Sequence, residues 1–198
     1  MGEKDAAKQR LVDVTIKMIC EGKKPSEITV ADITKKAEVG NGMVNYHFQS
    51  KDNLIRVAVK KVMSCARKLL AEKMKAKENL PAHERLVLIL KECMDFIAKN
   101  SEVAKIAILD NLENNEGESH LLSNEELYQN CLKELYEEDT YKRSVKNYLM
   151  ASYLNYIFLK AESIEKEIGF NFYNKDQRDK AIDNLVSDLI INDKYDCK

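Results

Sequence analysis

The chain has 198 residues, of which 33% are charged and 44% are hydrophobic. Its six Gly and two Pro make up 8 of 198 residues, or about 4%, whereas an average protein has roughly 12%. β-Sandwiches and barrels need these residues at their turns, so the composition excludes turn-dense β folds. It favours long amphipathic helices, and therefore an all-α fold.

The sequence also argues against a membrane or secreted protein. Its longest stretch without Asp, Glu, Lys or Arg runs from Asn147 to Leu159, which is shorter than the roughly 18 apolar residues of a spanning helix. The N-terminal segment MGEKDAAKQR is charged and lacks the apolar region of a signal peptide. The five cysteines are widely spaced and form no C-x-x-C pair, which indicates reduced core residues. We therefore expect a cytoplasmic protein.

Recognisable catalytic and metal-binding motifs are missing from the sequence. The three histidines, His47, His83 and His120, share no ligand-type spacing with Cys, Asp or Glu. There is no Gly-rich phosphate loop and no nucleophile–base motif. We expect no metal, no cofactor and no catalytic residue, so the chain is not predicted to be an enzyme. An enzyme would have to use paired carboxylates that no motif reveals.

The net charge of −1 conceals an asymmetry along the chain. Residues 1–80 hold 17 Lys and Arg against 10 Asp and Glu, a net charge of +7. The remaining residues hold 15 against 23, a net charge of −8. A basic N-terminal part suggests that one end of the molecule contacts a polyanion. Lys-rich, solvated helix faces would give the same charge pattern.

Hydrophobic periodicity predicts about nine helices in chain order. The first covers residues 4–21, with a buried stripe at Leu11, Val14, Thr15 and Met18. Two short helices follow it, and the remaining predicted helices cover residues 51–77, 82–99, 102–114, 124–138, 141–167 and 175–191. Ser50 is expected to cap the fourth helix, Ser123 and Glu126 form a capping-box pattern, and Gly169 is expected to end the penultimate helix.

The two short helices are predicted between residues 29 and 48. Thr29 is a good N-cap for the first of them, and Glu38-Val39-Gly40 interrupts the helical pattern. In the second, Val44 and Phe48 are spaced to face inward. That leaves polar and aromatic residues facing outward, namely Asn41, Met43, Asn45, Tyr46 and His47. Two short helices joined by a tight turn are the elements of a helix-turn-helix.

Residues 29–54, TVADITKKAEVGNGMVNYHFQSKDNL, resemble the helix-turn-helix signature of the tetracycline-repressor (TetR) family of bacterial regulators. The centre of the match is the run from Gly42 to Phe48, followed by Ser50-Lys51 and Leu54. Glu38 stands where the family commonly has Gly, so a positive φ there would be strained. Asn45 stands where many members have Tyr, which leaves the base preference open.

The resemblance implies a homodimer of all-helical subunits. Each subunit would have a three-helix DNA-binding domain at residues 1–50 and a larger body at residues 51–198. The body would bind a small-molecule effector, and the last two long helices would form the dimer interface. Effector binding would tilt the fourth helix and change the spacing of the two DNA-binding domains.

The resemblance also implies that the third helix enters the major groove of double-stranded DNA. Asn41 and Asn45 could pair with adenine edges, and Met43 could contact a thymine methyl group. Phosphate contacts are expected from Tyr46, His47 and the positive charge of Lys51. The predicted DNA-binding residues are Thr29, Asn41, Gly42, Met43, Asn45, Tyr46, His47 and Lys51. Thr29 would also act as a helix cap.

The body gives weaker signals. We predict an effector pocket lined by Cys93, Phe96, Tyr148 and Tyr156, because such pockets are mostly apolar with a few polar groups. The same residues could instead belong to the core or to the dimer interface. The sequence thus predicts a ligand-responsive transcriptional regulator, a repressor that a small molecule releases from a palindromic operator. The alternative is the same fold with its head used for protein partners rather than DNA.

Overall fold

A computed structural model of the chain describes residues 3–113, 125–137 and 139–191. Within these ranges the structure has ten α-helices and no strand, so the predicted all-α fold is confirmed. The helices are α1 (Glu3–Cys20), α2 (Val30–Ala37), α3 (Gly42–Phe48), α4 (Lys51–Lys75), α5 (Ala82–Lys99), α6 (Ser101–Glu113), α7 (Glu125–Leu135), α8 (Thr140–Leu159), α9 (Ala161–Ile168) and α10 (Lys175–Val186). A 3₁₀ turn at Pro25–Glu27 precedes α2, and a π-helical segment at Ser187–Ile191 follows α10.

The helices form two compact units. Unit 1 comprises the described residues of Met1–Ala66 and Asn100–Glu116, and unit 2 those of Arg67–Lys99 and Gly117–Lys198. This division follows packing. The boundary predicted at residue 50 concerns DNA binding, and it stays a prediction.

The core of unit 1 is built around α1, which packs against both α2 and α3. Leu11, Thr15 and Met18 are completely buried, as their helical spacing predicts, whereas Val14 is half-buried. Inside this core the Thr15 hydroxyl donates a hydrogen bond to the Leu11 carbonyl, at 2.8 Å, so it is not left unpaired. Val44 of α3 is fully buried, so the apolar side of the short helix is held by tertiary contacts rather than by its own propensity.

Local capping fixes where α2 and α4 begin. The Thr29 Oγ1 accepts a hydrogen bond from the Asp32 backbone N–H at 3.1 Å and donates to the Asp32 carboxylate at 2.8 Å. Ser50 caps α4 in the same way, since its Oγ accepts from the Asn53 N–H at 3.1 Å. Both caps are confirmed predictions, because a cap depends only on residues within one helical turn.

Unit 2 has its core where α5 packs against α7 and α10. Leu86, Leu90 and Met94 of α5 are completely buried, as is Ile182 of α10. One buried cation, Arg178, belongs to the same region: it donates to the Phe172 carbonyl at 2.8 Å and pairs with the carboxylate of Asp95. This ion pair links α10 to α5, and the charge of Arg178 in it is buried away from water.

Two details differ from the sequence predictions, and a third prediction is not tested. The single helix expected at 141–167 is broken at Lys160, where the backbone (φ −107°, ψ 15°) leaves the helical region and divides it into α8 and α9. Neither Gly nor Pro lies at this point, so the chain carries no local signal for the break. Cys20 and Cys65 are exposed free thiols rather than core residues. The predicted capping box at Ser123 and the start of its helix lie outside the described residues.

The predicted bounds of α5 and the predicted helix end at Gly169 are confirmed. α5 begins directly after Pro81 and ends at Lys99, as predicted, and Gly169 ends α9 with φ +72°, a conformation that glycine adopts without strain.

None of the described helices combines the length and apolar character that crossing a membrane requires. Among the described residues there is no cluster of three or more His, Cys, Asp or Glu side chains able to hold a metal ion.

Candidate nucleic-acid interface

The turn between α2 and α3 spans residues 38–41 and makes a compact helix-turn-helix. Glu38 ends α2 in the left-handed conformation (φ 53°, ψ 49°), and the following Val39 N–H donates to the Thr34 carbonyl at 3.0 Å. A left-handed non-glycine residue costs roughly 1 kcal/mol. The sequence suggested strain at Glu38 if φ were positive, and φ is positive.

α3 presents one side to the core and the other to solvent. Val44 and Phe48 are buried, which confirms the predicted inward face. On the other side Asn45 and Tyr46 are exposed, and 64% of the Tyr46 side chain is accessible. Met43 and His47 lie on the flank of the helix and are half-buried. The predicted base- and phosphate-contacting residues of α3 therefore share one accessible surface.

Neither backbone conformation nor space among the described residues requires a glycine at position 42, the first residue of α3. Its φ is not in the positive range, and a Cβ atom placed on it would meet no heavy atom within 4 Å. Glycine is an unfavourable helix residue compared with alanine. A glycine without an intramolecular role at an exposed helix start is what a close approach by another molecule requires.

Three other predicted DNA-binding residues already have partners inside unit 1. Thr29 is bound to Asp32, and its hydrogen bonds lower the pKa of the Asp32 carboxyl below its usual value. The Asn41 side-chain oxygen accepts from the Thr34 hydroxyl. Lys51 donates to the Pro25 carbonyl at 3.1 Å, so its ammonium group is positioned by the turn before α2.

Two lysines of α1 lie over the aromatic rings of α3, and neither was predicted from the sequence. The Lys4 Nζ is 5.7 Å from the centre of the Tyr46 ring, and the Lys8 Nζ is 5.9 Å from that of Phe48. These are cation–π distances. The only sequence signal was the basic N-terminal part of the chain, which did not indicate which lysines lie beside the third helix.

A groove of about 450 Å³ runs along unit 1 beside the end of α3. Its walls come from α1, α3, α4 and α6, and it is lined by Lys8, His47, Phe48, Gln49, Asn53, Arg56, Val57, Lys60 and Asp110. Within it the Arg56 Nε and a carboxylate oxygen of Asp110 are 2.8 Å apart. The His47 Nε2 atom is buried and has no hydrogen-bond partner among the described residues.

An apolar stripe runs along the exposed side of α8 in unit 2. Its residues recur at helical spacing and are Tyr141, Val145, Tyr148, Leu149, Tyr153 and Tyr156. Tyr153 also lines a groove of about 600 Å³. The other apolar lining residues are Phe170, Leu185 on α10 and Leu189 in the π-helical segment that follows α10. A contiguous exposed apolar surface of this kind is typical of a protein–protein interface.

The four residues predicted to form an effector pocket occupy two different environments of unit 2. Cys93 and Phe96 are half-buried on α5, and burial raises the pKa of the Cys93 thiol to about 12. Tyr148 and Tyr156 lie on α8, each 61% exposed. None of the four lines the unit 1 groove or the unit 2 groove, and the predicted pocket stays a prediction.

A buried tyrosine near Cys93 was not predicted. The side chain of Tyr128 on α7 is buried, and its hydroxyl has no hydrogen-bond partner among the described residues. Burial, together with the neighbouring Cys93, raises its pKa above the usual value. An unpaired hydroxyl in an apolar core costs about 1–3 kcal/mol unless something else satisfies it.

Comparisons with known proteins show a similarity to a solved structure. No protein-family model matches the chain, and no curated protein matches it. Among solved structures, the chain is similar to the transcriptional regulator FadR from Bacillus subtilis, crystallised in complex with stearoyl-CoA. The two share 16% sequence identity with a TM-score of 0.59, over 92% of this chain and 97% of that chain. At this identity the similarity establishes a common fold.

Proposed function

We propose that the chain is a ligand-responsive transcriptional regulator of the tetracycline-repressor type, which binds an operator as a homodimer. The observation that carries this proposal is the accessible face of α3. There Gly42, Asn45 and Tyr46 are exposed, and neither backbone conformation nor space among the described residues requires a glycine at position 42. The similarity to FadR, itself a transcriptional regulator, supports the same conclusion.

In this function α3 lies in the major groove of DNA and reads base edges. Asn45 is the main candidate for base contact, because it is exposed and its side chain has no internal partner among the described residues. Asn41 and Met43 are further candidates at the start of the helix. Tyr46, His47, Lys51 and the capped turn at Thr29 would contact phosphates, which fix the register of α3 on the duplex.

The second copy of the chain would cover the apolar stripe of α8. A single subunit exposes 61% of both Tyr148 and Tyr156 to water, and burying aromatic side chains of this size is strongly favourable. A twofold-symmetric dimer would contain two α3 helices. They would then read half-sites about 34–36 Å apart, one turn of DNA, or a multiple of that distance.

Control by an effector would be a two-state equilibrium between DNA-competent and DNA-incompetent dimers. A small molecule can shift that equilibrium only through its different affinities for the two states. The half-buried Cys93 and Phe96 remain the candidate effector contacts in unit 2. Because FadR was crystallised with stearoyl-CoA, long-chain acyl thioesters are the first compounds to test. We propose a repressor that its effector releases.

Binding to a labelled random-sequence duplex, followed by fluorescence anisotropy at 50 and 200 mM salt, tests DNA binding itself. A dimer that neutralises about six phosphates should lose roughly 10³-fold in affinity between these two salt concentrations. Salt-dependent binding of this size supports the proposal, and no binding at either concentration contradicts it.

The second candidate function is a head that binds protein partners. Two observations favour it: residues 1–60 carry a net charge of only +3, from 11 basic and 8 acidic residues, and Lys51 has an internal hydrogen bond. The same titration discriminates the two functions, because a protein-binding head would show no steep salt dependence toward DNA.

A further inference from the structure

We propose that the unit 1 groove is a binding site for a phosphate of the DNA backbone. It would place an additional contact beside α3, beyond the residues that the helix-turn-helix pattern indicates. The inference rests on the proposed function, and it adds Lys8, Asn53 and Lys60 to the DNA-binding surface.

The charge of the groove favours an anion. Among the described residues that line it, Lys8, Arg56 and Lys60 are basic and Asp110 is the single carboxylate. The ion pair between Arg56 and Asp110, at 2.8 Å, offsets the negative charge of that carboxylate, which would repel a phosphate.

His47 supplies a hydrogen-bonding atom that the chain itself does not use. Its Nε2 is buried without a partner among the described residues, although a buried polar atom is nearly always paired. After a rotation of the side chain that exposes it, a protonated Nε2 would donate to a phosphate oxygen. The rings of His47 and the neighbouring Tyr46 are in edge-to-face contact, with centroids 4.8 Å apart at 82°.

Lys8 is held at the same site through its packing. Its ammonium group lies 5.9 Å from the centre of the Phe48 ring, and it has no carboxylate partner among the residues that the structure describes. A positioned cation without a competing carboxylate is suited to a phosphate. The side-chain amides of Gln49 and Asn53, which also line the groove, add further donors.

The position of the groove favours the DNA backbone, rather than a free phosphorylated compound, as the source of the phosphate. One of its walls is the C-terminal end of α3, the helix whose exposed face carries the candidate base contacts. A phosphate seated against His47 would belong to the strand that α3 already contacts. A free phosphate compound shares the same chemistry, and direct competition by inorganic phosphate separates the two sources.

The test is the salt dependence of DNA binding by Lys8→Met, which keeps the apolar stem on Phe48 and removes the charge. Each lost phosphate contact reduces the slope of log K against log salt by about 0.9. Because both subunits of the dimer carry the substitution, two contacts are lost, and between 50 and 200 mM salt the affinity ratio should fall by about 12-fold relative to the wild type. Lys60→Met should act in the same direction.

Lys17→Met is the matched control. Lys17 is on the same helix, nine residues further along, which places it on the opposite side of α1. Its side chain is 75% exposed and pairs only loosely with Glu21, at 4.0 Å. It should leave the salt slope at the wild-type value.

Inorganic phosphate, followed through the NMR signals of the His47 ring, identifies the source. A reduced slope in Lys8→Met, with phosphate competing only weakly, supports the DNA backbone. An unchanged slope while the wild type binds DNA overturns the inference and leaves the proposed function standing. Tight phosphate binding with an unchanged slope assigns the groove to a free anion and also overturns it. A wild-type protein that does not bind DNA contradicts both this inference and the proposed function.

Discussion

Gly42→Ala separates a structural role of this residue from a DNA-binding role. The substitution should raise the stability of the free protein and lower its affinity for DNA. Gly42 is the first residue of α3, its φ is not positive, and an added Cβ meets no heavy atom within 4 Å. The free protein should therefore gain helix propensity, about 0.5 kcal/mol at this terminal position. For a chain of this length that corresponds to a rise in Tm of about 1–2 °C.

DNA binding should change in the other direction. A methyl group between the start of α3 and the DNA backbone removes the close approach that glycine permits. We expect at least about a tenfold loss of affinity, equivalent to 1.4 kcal/mol. Thermal unfolding of the free protein and anisotropy titration with operator DNA measure the two effects on the same sample.

Ser163→Ala is the control for this experiment. Ser163 is exposed on α9, in unit 2, so the change raises helix propensity without touching unit 1. It should stabilise the protein slightly and leave DNA affinity unchanged. If Gly42→Ala stabilises the protein and binds DNA as tightly as the wild type, the reasoning about the α3 surface is refuted. A destabilised Gly42→Ala would show that the glycine has an intramolecular role after all.

Three further substitutions test other parts of the account. Glu38→Gly should raise the free energy of unfolding by about 1 kcal/mol in chemical denaturation, because glycine adopts φ 53° without strain; an unchanged or lower stability would contradict this. Burial alone would raise the pKa of the Asp95 carboxyl, but hydrogen bonds from Arg178 and Lys175 outweigh it and hold that pKa below its usual value. The ionised carboxylate therefore stabilises the fold fully above pH ~4, and this stabilisation is lost as the pH falls further. Asp95→Asn should therefore cost about 3 kcal/mol at pH 7 and flatten the acid side of the stability curve, whereas a parallel curve would refute the assignment. Tyr148→Asp should weaken dimerisation at least about 100-fold in sedimentation equilibrium without lowering the stability of the subunit, and an unaltered dimer would move the interface elsewhere.

The parts of the fold that depend on neighbouring residues were predictable from the sequence. The caps at Thr29 and Ser50 and the inward face of α3 involve residues within about one turn of each other, where capping and periodicity rules apply directly. The strain at Glu38 was also foreseeable, since it follows from placing a non-glycine residue in a tight turn. These features were enough to locate the candidate DNA-binding surface.

Features that depend on long-range packing were not predictable in this way. The break at Lys160 has neither Gly nor Pro to mark it, and the apolar spacing continues across it. The groove joins Lys8 to Asp110, which are 102 residues apart, and no local pattern connects them. Helical spacing also cannot distinguish a residue that faces the core from one that faces a second subunit. Tyr148 and Tyr156 are each 61% exposed, and their spacing fits the predicted pocket and a subunit interface equally well.

Selection of bound sequences from a pool of random DNA duplexes tests the central claim most directly. A homodimer that reads DNA with α3 should enrich a palindrome whose half-sites lie about one helical turn apart, 34–36 Å, or a multiple of it. That single result would identify the operator, the dimer and the reading helix together. Failure to retain any DNA sequence at low salt would contradict the account and leave the protein-binding head as the function to pursue.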